Sequence, residues 1–316
     1  MKNLPYIDAD AVSDSLSYPD LIDSLKQAFI QPHIVPDRLH YELAESMGVD
    51  TRLLVMVAWG AEHYLGVKMV TLCSDNSAKG LPTLSGIYCL FDGKTGIPLA
   101  MLDGAELTAF RTAAASVLAT TCLLDSVPDT VLIMGAGKLS TYYIKAYAEI
   151  MKPARVLLWN RDIGKAEAVV ELVSLSESKL DIATDLEEAV NQADIISTIT
   201  SSTQPLFPGT WCKPGCHLDL VGGYRPDMRE VDDELIRRAM IYVDTYQGAF
   251  DEAGDIIDPL NRGIISKSDI HADLAELVRG KDIQQGGGKD LTVFKSVGTA
   301  IEDLAAAVLV YEKNIN

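Results

Sequence analysis

Three residues near the middle of the chain, Gly135, Gly137 and Ser140, have the spacing of a loop that binds a dinucleotide. An apolar run, residues 131–134, precedes them and an amphipathic segment follows them, so the pattern predicts a strand, a tight glycine turn and a helix. The first glycine permits the turn, and the second lets the backbone approach a pyrophosphate bound to the amides at the helix N-terminus. Ser140 departs from the strict motif, which has glycine or alanine there. A glycine turn without a ligand is the alternative.

The residues expected to contact the pyrophosphate are Gly135, Ala136, Gly137, Lys138 and Leu139. The residues that end the next apolar run decide which nicotinamide cofactor fits. Residues 155–159 form this run, and Asn160 and Arg161 follow it. An acidic residue here would bind the ribose 2′-hydroxyl and repel a 2′-phosphate, whereas a guanidinium binds phosphate through two hydrogen bonds.

The sequence therefore predicts a preference for NADP(H). Asp162 comes one residue late, which leaves use of NAD(H) open. Arg161 could also be a solvated residue at the start of a helix.

Two cations stand in apolar surroundings. Lys68 lies between Val67 and Met69, and Arg111 lies in an alanine-rich segment beside Phe110. Charges in such runs are rarely buried without a partner, and a substrate carboxylate is a suitable one because arginine holds it by two parallel hydrogen bonds. Taken singly, each cation could instead be a snorkelling side chain or a member of a structural ion pair.

Composition limits the class of protein that carries these residues. The chain has 316 residues, 48% hydrophobic and 23% charged, with a net charge of −18. This is enough for two domains, and the acidic surface disfavours nucleic acid and anionic membranes as partners. We expect a cytoplasmic protein, because the N-terminus lacks a signal pattern, no apolar run spans a bilayer and the five cysteines are scattered. Cys212, Cys216 and His217 do not have the spacing of a zinc site, so no metal is expected.

The elements that must position these residues fall into two groups. Beyond Pro128, strands and helices alternate, which predicts a parallel, doubly wound sheet with its ligand at the carboxyl ends of the strands, near residues 134–138, 160, 198–203 and 221–225. Before it, the patterns predict a helix over 19–30, strands over 38–43, 52–59, 64–72, 84–91 and 98–102, and a helix over 107–124. A strand over 291–294 and a helix over 298–312 end the chain.

Several blocks in one order resemble the ornithine cyclodeaminase/μ-crystallin family over nearly the full length. They are Gly66-Val67-Lys68-Met69-Val70, Leu81-Pro82-Thr83, Thr95-Gly96-Ile97-Pro98, Leu107-Thr108-Ala109-Phe110-Arg111-Thr112-Ala113-Ala114, the glycine loop, Val221-Gly222-Gly223-Tyr224-Arg225-Pro226-Asp227-Met228-Arg229-Glu230, Glu252-Ala253-Gly254-Asp255 and Phe294-Lys295-Ser296-Val297-Gly298. The resemblance implies an α/β protein with a Rossmann domain over 123–291. It also implies a discontinuous α+β substrate and dimerisation domain, formed by 1–122 and 292–316, and a homodimer.

The resemblance also assigns residues to the site. It makes Arg38 a third cation that binds the substrate carboxylate, beside Lys68 and Arg111, and puts Thr83 and Glu252 near the substrate, with Asp255 as a further candidate for the pocket rim. For Glu252 and Asp255, a solvated acidic loop is the alternative. The cofactor contacts that it implies outside the glycine loop are Arg111, Thr112, Thr198, Ile199, Val221 and Ser296.

One departure from the family pattern bears on the reaction. Tyr224 stands where the cyclodeaminases carry an aspartate that serves the amine chemistry, and a tyrosine with a pKa near 10 cannot replace that carboxylate. The chain therefore looks like the reductase branch, whose substrate is a cyclic imine such as Δ1-pyrroline-2-carboxylate or Δ1-piperideine-2-carboxylate, and whose product is L-proline or L-pipecolate.

The expected mechanism is hydride transfer from the nicotinamide to the imine carbon of a substrate whose carboxylate is fixed by the three cations. Lys68 is the expected proton donor, unless the substrate binds already protonated. Three alternatives stay open: an ornithine cyclodeaminase, an open-chain alanine-type dehydrogenase and a non-catalytic NADP-binding protein.

Overall fold

The computed structural model describes residues 4–43, 51–60, 63–280 and 290–315. The chain divides into two compact units, one formed by Met1–Ala115 with Thr299–Asn316 and the other by Ser116–Gly298. The first unit is therefore discontinuous, and its limits fall at 115/116 and 298/299, seven residues from the predicted 122/123 and 291/292.

The first unit is built on a seven-stranded sheet in the order β1-β7-β6-β5-β4-β2, with β3 paired to β4. Only the β1–β7 pair is parallel. The strands are β1 Tyr6–Ile7, β2 His33–Ile34, β3 Leu39–Glu42, β4 Thr51–Gly60, β5 Tyr64–Cys73, β6 Leu84–Asp92 and β7 Pro98–Asp103. The helices are α1 Ala9–Ser15, α2 Tyr18–Ile30, α3 Gly104–Leu123, whose last residues belong to the second unit, and α11 Ala300–Ile315.

Helix α11 packs on one face of this sheet, against β4, β5 and β6. Its run Ala305, Ala306 and Ala307 is buried, and such small side chains let a helix lie close to the strands. Because successive strand residues point to opposite faces, the register that aligns Met56, Lys68 and Tyr88 turns all three buried side chains toward the same face of the sheet.

Helix α3 begins earlier than predicted because Asp103 caps it. The carboxylate of Asp103 accepts a hydrogen bond of 2.7 Å from the backbone N–H of Glu106. Such a bond satisfies one of the free amide groups of the first turn, so the helix extends to Gly104.

The second unit contains an eight-stranded, wholly parallel sheet in the order β10-β9-β8-β11-β12-β15-β13-β14. Its strands are β8 Thr130–Met134, β9 Arg155–Trp159, β10 Lys179–Ile182, β11 Ile195–Thr198, β12 His217–Leu220, β13 Ala239–Val243, β14 Ile270–Asp273 and β15 Leu291–Lys295. Its helices are α4 Ser140–Ile150, α5 Ile163–Leu172, α6 Leu186–Gln192, α7 Asp233–Arg238, α8 Tyr246–Asp251, α9 Gly254–Asn261 and α10 Leu274–Val278.

The strand order reverses at β8, with β9 and β10 on one side and β11 and β12 on the other. This is the doubly wound Rossmann arrangement that the sequence predicted, and its switch point lies at the glycine loop. Every residue of β8, β11 and β12 is buried, as expected for central strands covered on both faces.

Strand β15 explains why the C-terminal boundary differs from the predicted one. It inserts between β12 and β13 and pairs with both, so it belongs to the sheet of the second unit, although the prediction placed residues from 292 in the first. The chain leaves this sheet only after β15. None of the helices in the described part of the chain has the length and hydropathy needed to cross a lipid bilayer.

Candidate active site

The glycine loop between β8 and α4 has the backbone geometry of a pyrophosphate-binding turn. Gly135 has φ 120°, and a Cβ on it would lie 3.0 Å from the carbonyl oxygen of Ile199, so only glycine suits this position. A Cβ on Gly137 would meet no atom within 4 Å, so the backbone here is open to a ligand. Ser140 is buried, and its hydroxyl donates to the carbonyl of Gly137 at 2.5 Å. A small side chain is therefore required at the third position, and serine meets this need.

The end of β9 presents a guanidinium and no free carboxylate. Asn160 accepts a hydrogen bond of 3.3 Å from the N–H of Ala136 and donates to the carbonyl of Asp162 at 2.9 Å. The Asp162 carboxylate caps α5 by accepting from Gly164 N–H at 3.1 Å. Arg161 is exposed, and within the described ranges it forms no ion pair, so its charge is available to an anion.

Four of the predicted cofactor contacts lie at the ends of neighbouring strands of the second sheet. Thr198 ends β11, Ile199 follows it, Val221 follows β12 and Ser296 follows β15. Thr198, Val221 and Ser296 are buried, and Ile199 is half-buried. The two hydroxyl groups donate to carboxylates of the protein: that of Thr198 to Glu230 at 2.7 Å and that of Ser296 to Asp244 at 3.2 Å.

A buried charge cluster that the sequence did not reveal lies among these strand ends. Lys295, Asp255 and Glu230 are all fully buried. The ammonium of Lys295 donates to the carbonyl of Gly222 and lies 3.3 Å from Asp255. Asp255 was expected at a pocket rim or in a solvated acidic loop. Both expectations are wrong, because its carboxylate is packed inside and accepts from the N–H of Glu230 at 2.8 Å.

In the first unit, Lys68 and Arg111 meet at one carboxylate. The ammonium of Lys68 lies 2.7 Å from Asp303, and Nε of Arg111 lies 2.9 Å from the same group. Arg111 also donates to Glu302 at 2.6 Å. Both carboxylates are completely buried, and the two cations are at most 6% exposed. The structural ion pairs that the sequence left open are thus present.

Burial dominates the electrostatics of this cluster. Desolvation lowers the pKa of Lys68 to about 7, against the attraction of Asp303, and the charges of Arg111 and Arg38 lower it further. Burial raises the pKa of Asp303, but the charges of Arg111 and Lys68 outweigh this and hold it below its ordinary value. For Arg111, the two carboxylates overcome desolvation and raise the pKa, so it stays charged.

Arg38 joins the cluster electrostatically. It lies half-buried in the loop before β3, and its charge acts on both Lys68 and Asp303. The charges of Arg38, Lys68 and Arg111 therefore all act on Asp303.

The remaining residues singled out in the sequence lie outside the two charge clusters. Thr83 is exposed, and the Thr112 hydroxyl donates back to the carbonyl of Thr108 at 2.6 Å. Glu252 is half-buried at the C-terminal cap of α8, and Tyr224 is 39% exposed in the loop after β12. His217 is buried; desolvation lowers its pKa to about 3, and Nδ1 lies 2.8 Å from the hydroxyl of Thr292.

Sequence reasoning missed Glu302 and Asp303, although the signal that revealed Lys68 applies to them. Both acids stand at the start of an alanine-rich, apolar helix. Charged residues of opposite sign in two apolar segments of a sequence are candidates for a buried ion pair. In the part of the chain that the structure describes, no three histidine, cysteine or acidic side chains are grouped to hold a metal ion.

The chain is similar to proteins of known family over nearly its full length. The sequence profile described as "Ornithine cyclodeaminase/mu-crystallin family" matches residues 7–316. The chain is 37% identical to ketimine reductase mu-crystallin of Mus musculus, over 99% of this chain and 98% of that protein.

Two solved structures share the fold. Delta(1)-pyrroline-2-carboxylate reductase of Thermococcus litoralis, in complex with NADH and L-proline, has a TM-score of 0.91 at 32% identity, covering 99% of this chain and 98% of that one. An archaeal alanine dehydrogenase dimer with bound NAD has a TM-score of 0.90 at 26% identity, covering 99% and 96%.

Proposed function

The chain belongs to the ornithine cyclodeaminase/mu-crystallin family, and we propose that it is an NAD(P)H-dependent reductase of a cyclic imine that carries a carboxylate on the imine carbon. The substrates are Δ1-pyrroline-2-carboxylate, reduced to L-proline, and Δ1-piperideine-2-carboxylate, reduced to L-pipecolate. Two relatives support this choice, one named a ketimine reductase and the other a pyrroline-2-carboxylate reductase with L-proline bound.

The observation that carries the proposal is the convergence of cations on the buried carboxylate of Asp303. Lys68 and Arg111 lie 2.7 and 2.9 Å from this carboxylate, and the charge of Arg38 acts on it as well. In the proposal, these cations bind the substrate carboxylate, while Glu302 and Asp303 orient them. A neutral imine offers the cations no anion, so the cluster selects an acid.

The proton needed for reduction comes from Lys68 in this proposal. A group with a pKa of about 7 holds its proton at the start of the reaction and releases it readily near neutral pH. Imine, proton and hydride together give the amine, so one proton enters per turnover. Arg111, which stays charged, holds the carboxylate while Lys68 changes its protonation state.

A pyridine nucleotide is the cofactor, and when bound it supplies the hydride. The glycine loop fits its pyrophosphate, because the backbone at Gly137 is open and the loop leads directly into the N-terminus of α4. We assign a preference for NADP(H) from the end of β9, where Arg161 has no acidic partner among the described residues and the Asp162 carboxylate is engaged in capping α5. Thr198, Val221 and Ser296 border the nicotinamide half.

We further propose a homodimer formed through the sheet of the first unit. Opposite the face that α11 covers, β4, β5 and β6 present an apolar surface that includes Val55, Val57, Trp59, Met69 and Ile87. Trp59 is 38% exposed and Met69 39% exposed. A face of this kind favours burial against a second copy, and the archaeal alanine dehydrogenase with the same fold is a dimer. The five free cysteines favour a reducing, cytoplasmic setting.

The test is an assay of purified protein with both cyclic imino acids and both reduced cofactors, followed by loss of absorbance at 340 nm. We expect stoichiometric oxidation of NADPH and formation of the L-imino acid. Ornithine with catalytic NAD+ and release of ammonia would indicate a cyclodeaminase, against which Tyr224 argues. Turnover of pyruvate with ammonia would indicate an open-chain dehydrogenase, and cofactor binding without any turnover would indicate a binding protein.

A further inference from the structure

The carboxyl ends of β11, β12 and β15 border the half of a dinucleotide that carries the nicotinamide. In a doubly wound sheet the pyrophosphate lies on the loop after the first strand, here β8, and the adenosine ribose lies at the end of the next, here β9. The remaining half must extend to the other side of β8. It therefore reaches the ends of β11 and β12, where residues 198–200 and 221–224 lie.

Three buried charges hold these two segments together. Glu230 accepts hydrogen bonds from the hydroxyl of Thr198 at 2.7 Å and from the N–H and hydroxyl of Thr200 at 2.8 and 2.7 Å. Lys295 donates to the carbonyl of Gly222. Asp255 links the two by lying 3.3 Å from the Lys295 ammonium and accepting from the N–H of Glu230.

The glycine pair after β12 is shaped by the two carboxylates. A Cβ on Gly222 would lie 2.3 Å from the Glu230 carboxylate and 2.2 Å from the carbonyl of Thr200. A Cβ on Gly223, whose φ is +56°, would lie 2.5 Å from Asp255. Any side chain at either position would displace the charges, so the loop conformation and the cluster depend on each other.

We propose that Glu230, Asp255 and Lys295 position the loop beside the nicotinamide and, through the charge of Glu230, favour the oxidised over the reduced cofactor. This inference rests on the proposed use of a nicotinamide cofactor. With Arg229, whose Nε lies 3.7 Å from Asp255, the two acids and two cations balance when all are ionised, and ionisation of Glu230 supplies one of the two negative charges. Only the oxidised nicotinamide ring is positively charged, so this negative charge attracts the product form of the cofactor and leaves the reduced form unaffected.

Protonation of Glu230 switches this preference. Burial raises its pKa to about 7; the charge of Lys295 opposes this shift and that of Asp255 adds to it. Two other charged groups lie nearby: Arg229, whose Nε is 3.7 Å from Asp255, and Asp219, on which Lys295 also acts. Because burial also raises the pKa of Asp219, to about 6, a variant must separate the two carboxyls.

The experiment measures the dissociation constants of NADP+ and NADPH by titration calorimetry, without substrate, at pH 6 and pH 8.5. In the wild type, we expect the ratio of the NADP+ constant to the NADPH constant to fall at least threefold between pH 6 and pH 8.5. The 2′-phosphate titrates in both forms and cancels in the ratio. Glu230→Gln should remove most of this change and keep the ratio close to its acidic value, whereas Glu171→Gln, an exposed control on α5, should behave as the wild type.

If Glu230 had a purely structural role, pH would change the dissociation constants of NADP+ and NADPH by the same factor. Their ratio would then stay constant, and that result would overturn the inference. Should Glu230→Gln fail to fold, the wild-type profile still decides, because a ratio independent of pH contradicts the proposal. A wild type that binds neither cofactor form overturns the proposed function itself. Binding of both forms with a constant ratio overturns only the inference.

Discussion

Lys68 and Arg111 donate to the same carboxylate, that of Asp303, although the three residues come from a strand and two different helices. The Lys68 ammonium and the Arg111 guanidinium lie 2.7 and 2.9 Å from it. A shared acid keeps two like charges close together in a buried place, where their repulsion would otherwise separate them. In the proposed site, Asp303 therefore has a positioning role, because it holds the pair of cations that bind the substrate carboxylate.

Replacing Asp303 by asparagine should destabilise the protein by about 3 to 5 kcal/mol, because it leaves buried cations without their shared partner. Urea unfolding followed by circular dichroism measures this loss. Asp20→Asn makes the same chemical change in an exposed pair with Lys313 and should have little effect. Equal stabilities of the two variants would show that the buried cluster contributes nothing to folding.

Arg111→Lys keeps the charge but removes the planar pair of donors that holds a carboxylate. We expect kcat/KM for the cyclic imino acid to fall by about 10- to 100-fold, mainly through KM, because a charged hydrogen bond contributes about 1.5–3 kcal/mol. Steady-state kinetics at 340 nm measure the change, and a melting temperature close to that of the wild type serves as the folding control. An unchanged kcat/KM would remove Arg111 from the substrate site.

Arg161→Ala should weaken NADPH binding by about 10- to 100-fold through loss of a charged contact to the 2′-phosphate. NADH has no phosphate at this position, so its dissociation constant should change less than twofold and provides the internal control. Fluorescence titration of each cofactor gives both constants. Parallel weakening of the two cofactors would rule out the proposed contact.

The pH profile of kcat reports on Lys68. With a pKa of about 7, its acidic form is populated below that pH, so kcat should fall as the pH rises through about 7. Lys68→Arg, which stays protonated, should lose this descending limb along with most of the activity. Lys94→Arg, in an exposed turn, should retain the wild-type profile. A limb that persists in Lys68→Arg would assign the proton to another group.

Much of the fold follows from local patterns in the sequence. The strand and helix around the glycine loop, the run of strands before Pro128 and the cations Lys68 and Arg111 are all visible as apolar periodicity or as charges that interrupt it. The partners of those cations were harder to see, because Asp303 is joined to Lys68 only by the packing of α11 on β5.

The cluster around Lys295 was invisible to sequence reasoning for a topological reason. Glu230, Asp255 and Lys295 are far apart in the chain, and Lys295 reaches the two acids because β15 inserts between β12 and β13. No local pattern encodes which neighbours a parallel strand takes. For the same reason the predicted boundary near residue 292 differs from the observed one, and the sequence predicts Asp255 at a pocket rim or in a solvated acidic loop rather than in the interior.

The most direct test of the proposed cation site compares Δ1-pyrroline-2-carboxylate with Δ1-pyrroline, which has the same ring without the carboxylate. We expect NADPH to reduce the acid efficiently and kcat/KM for the neutral imine to be lower by at least about 100-fold, because Arg38, Lys68 and Arg111 then lack their anion. Comparable kcat/KM values for the two imines would show that these cations do not select the substrate.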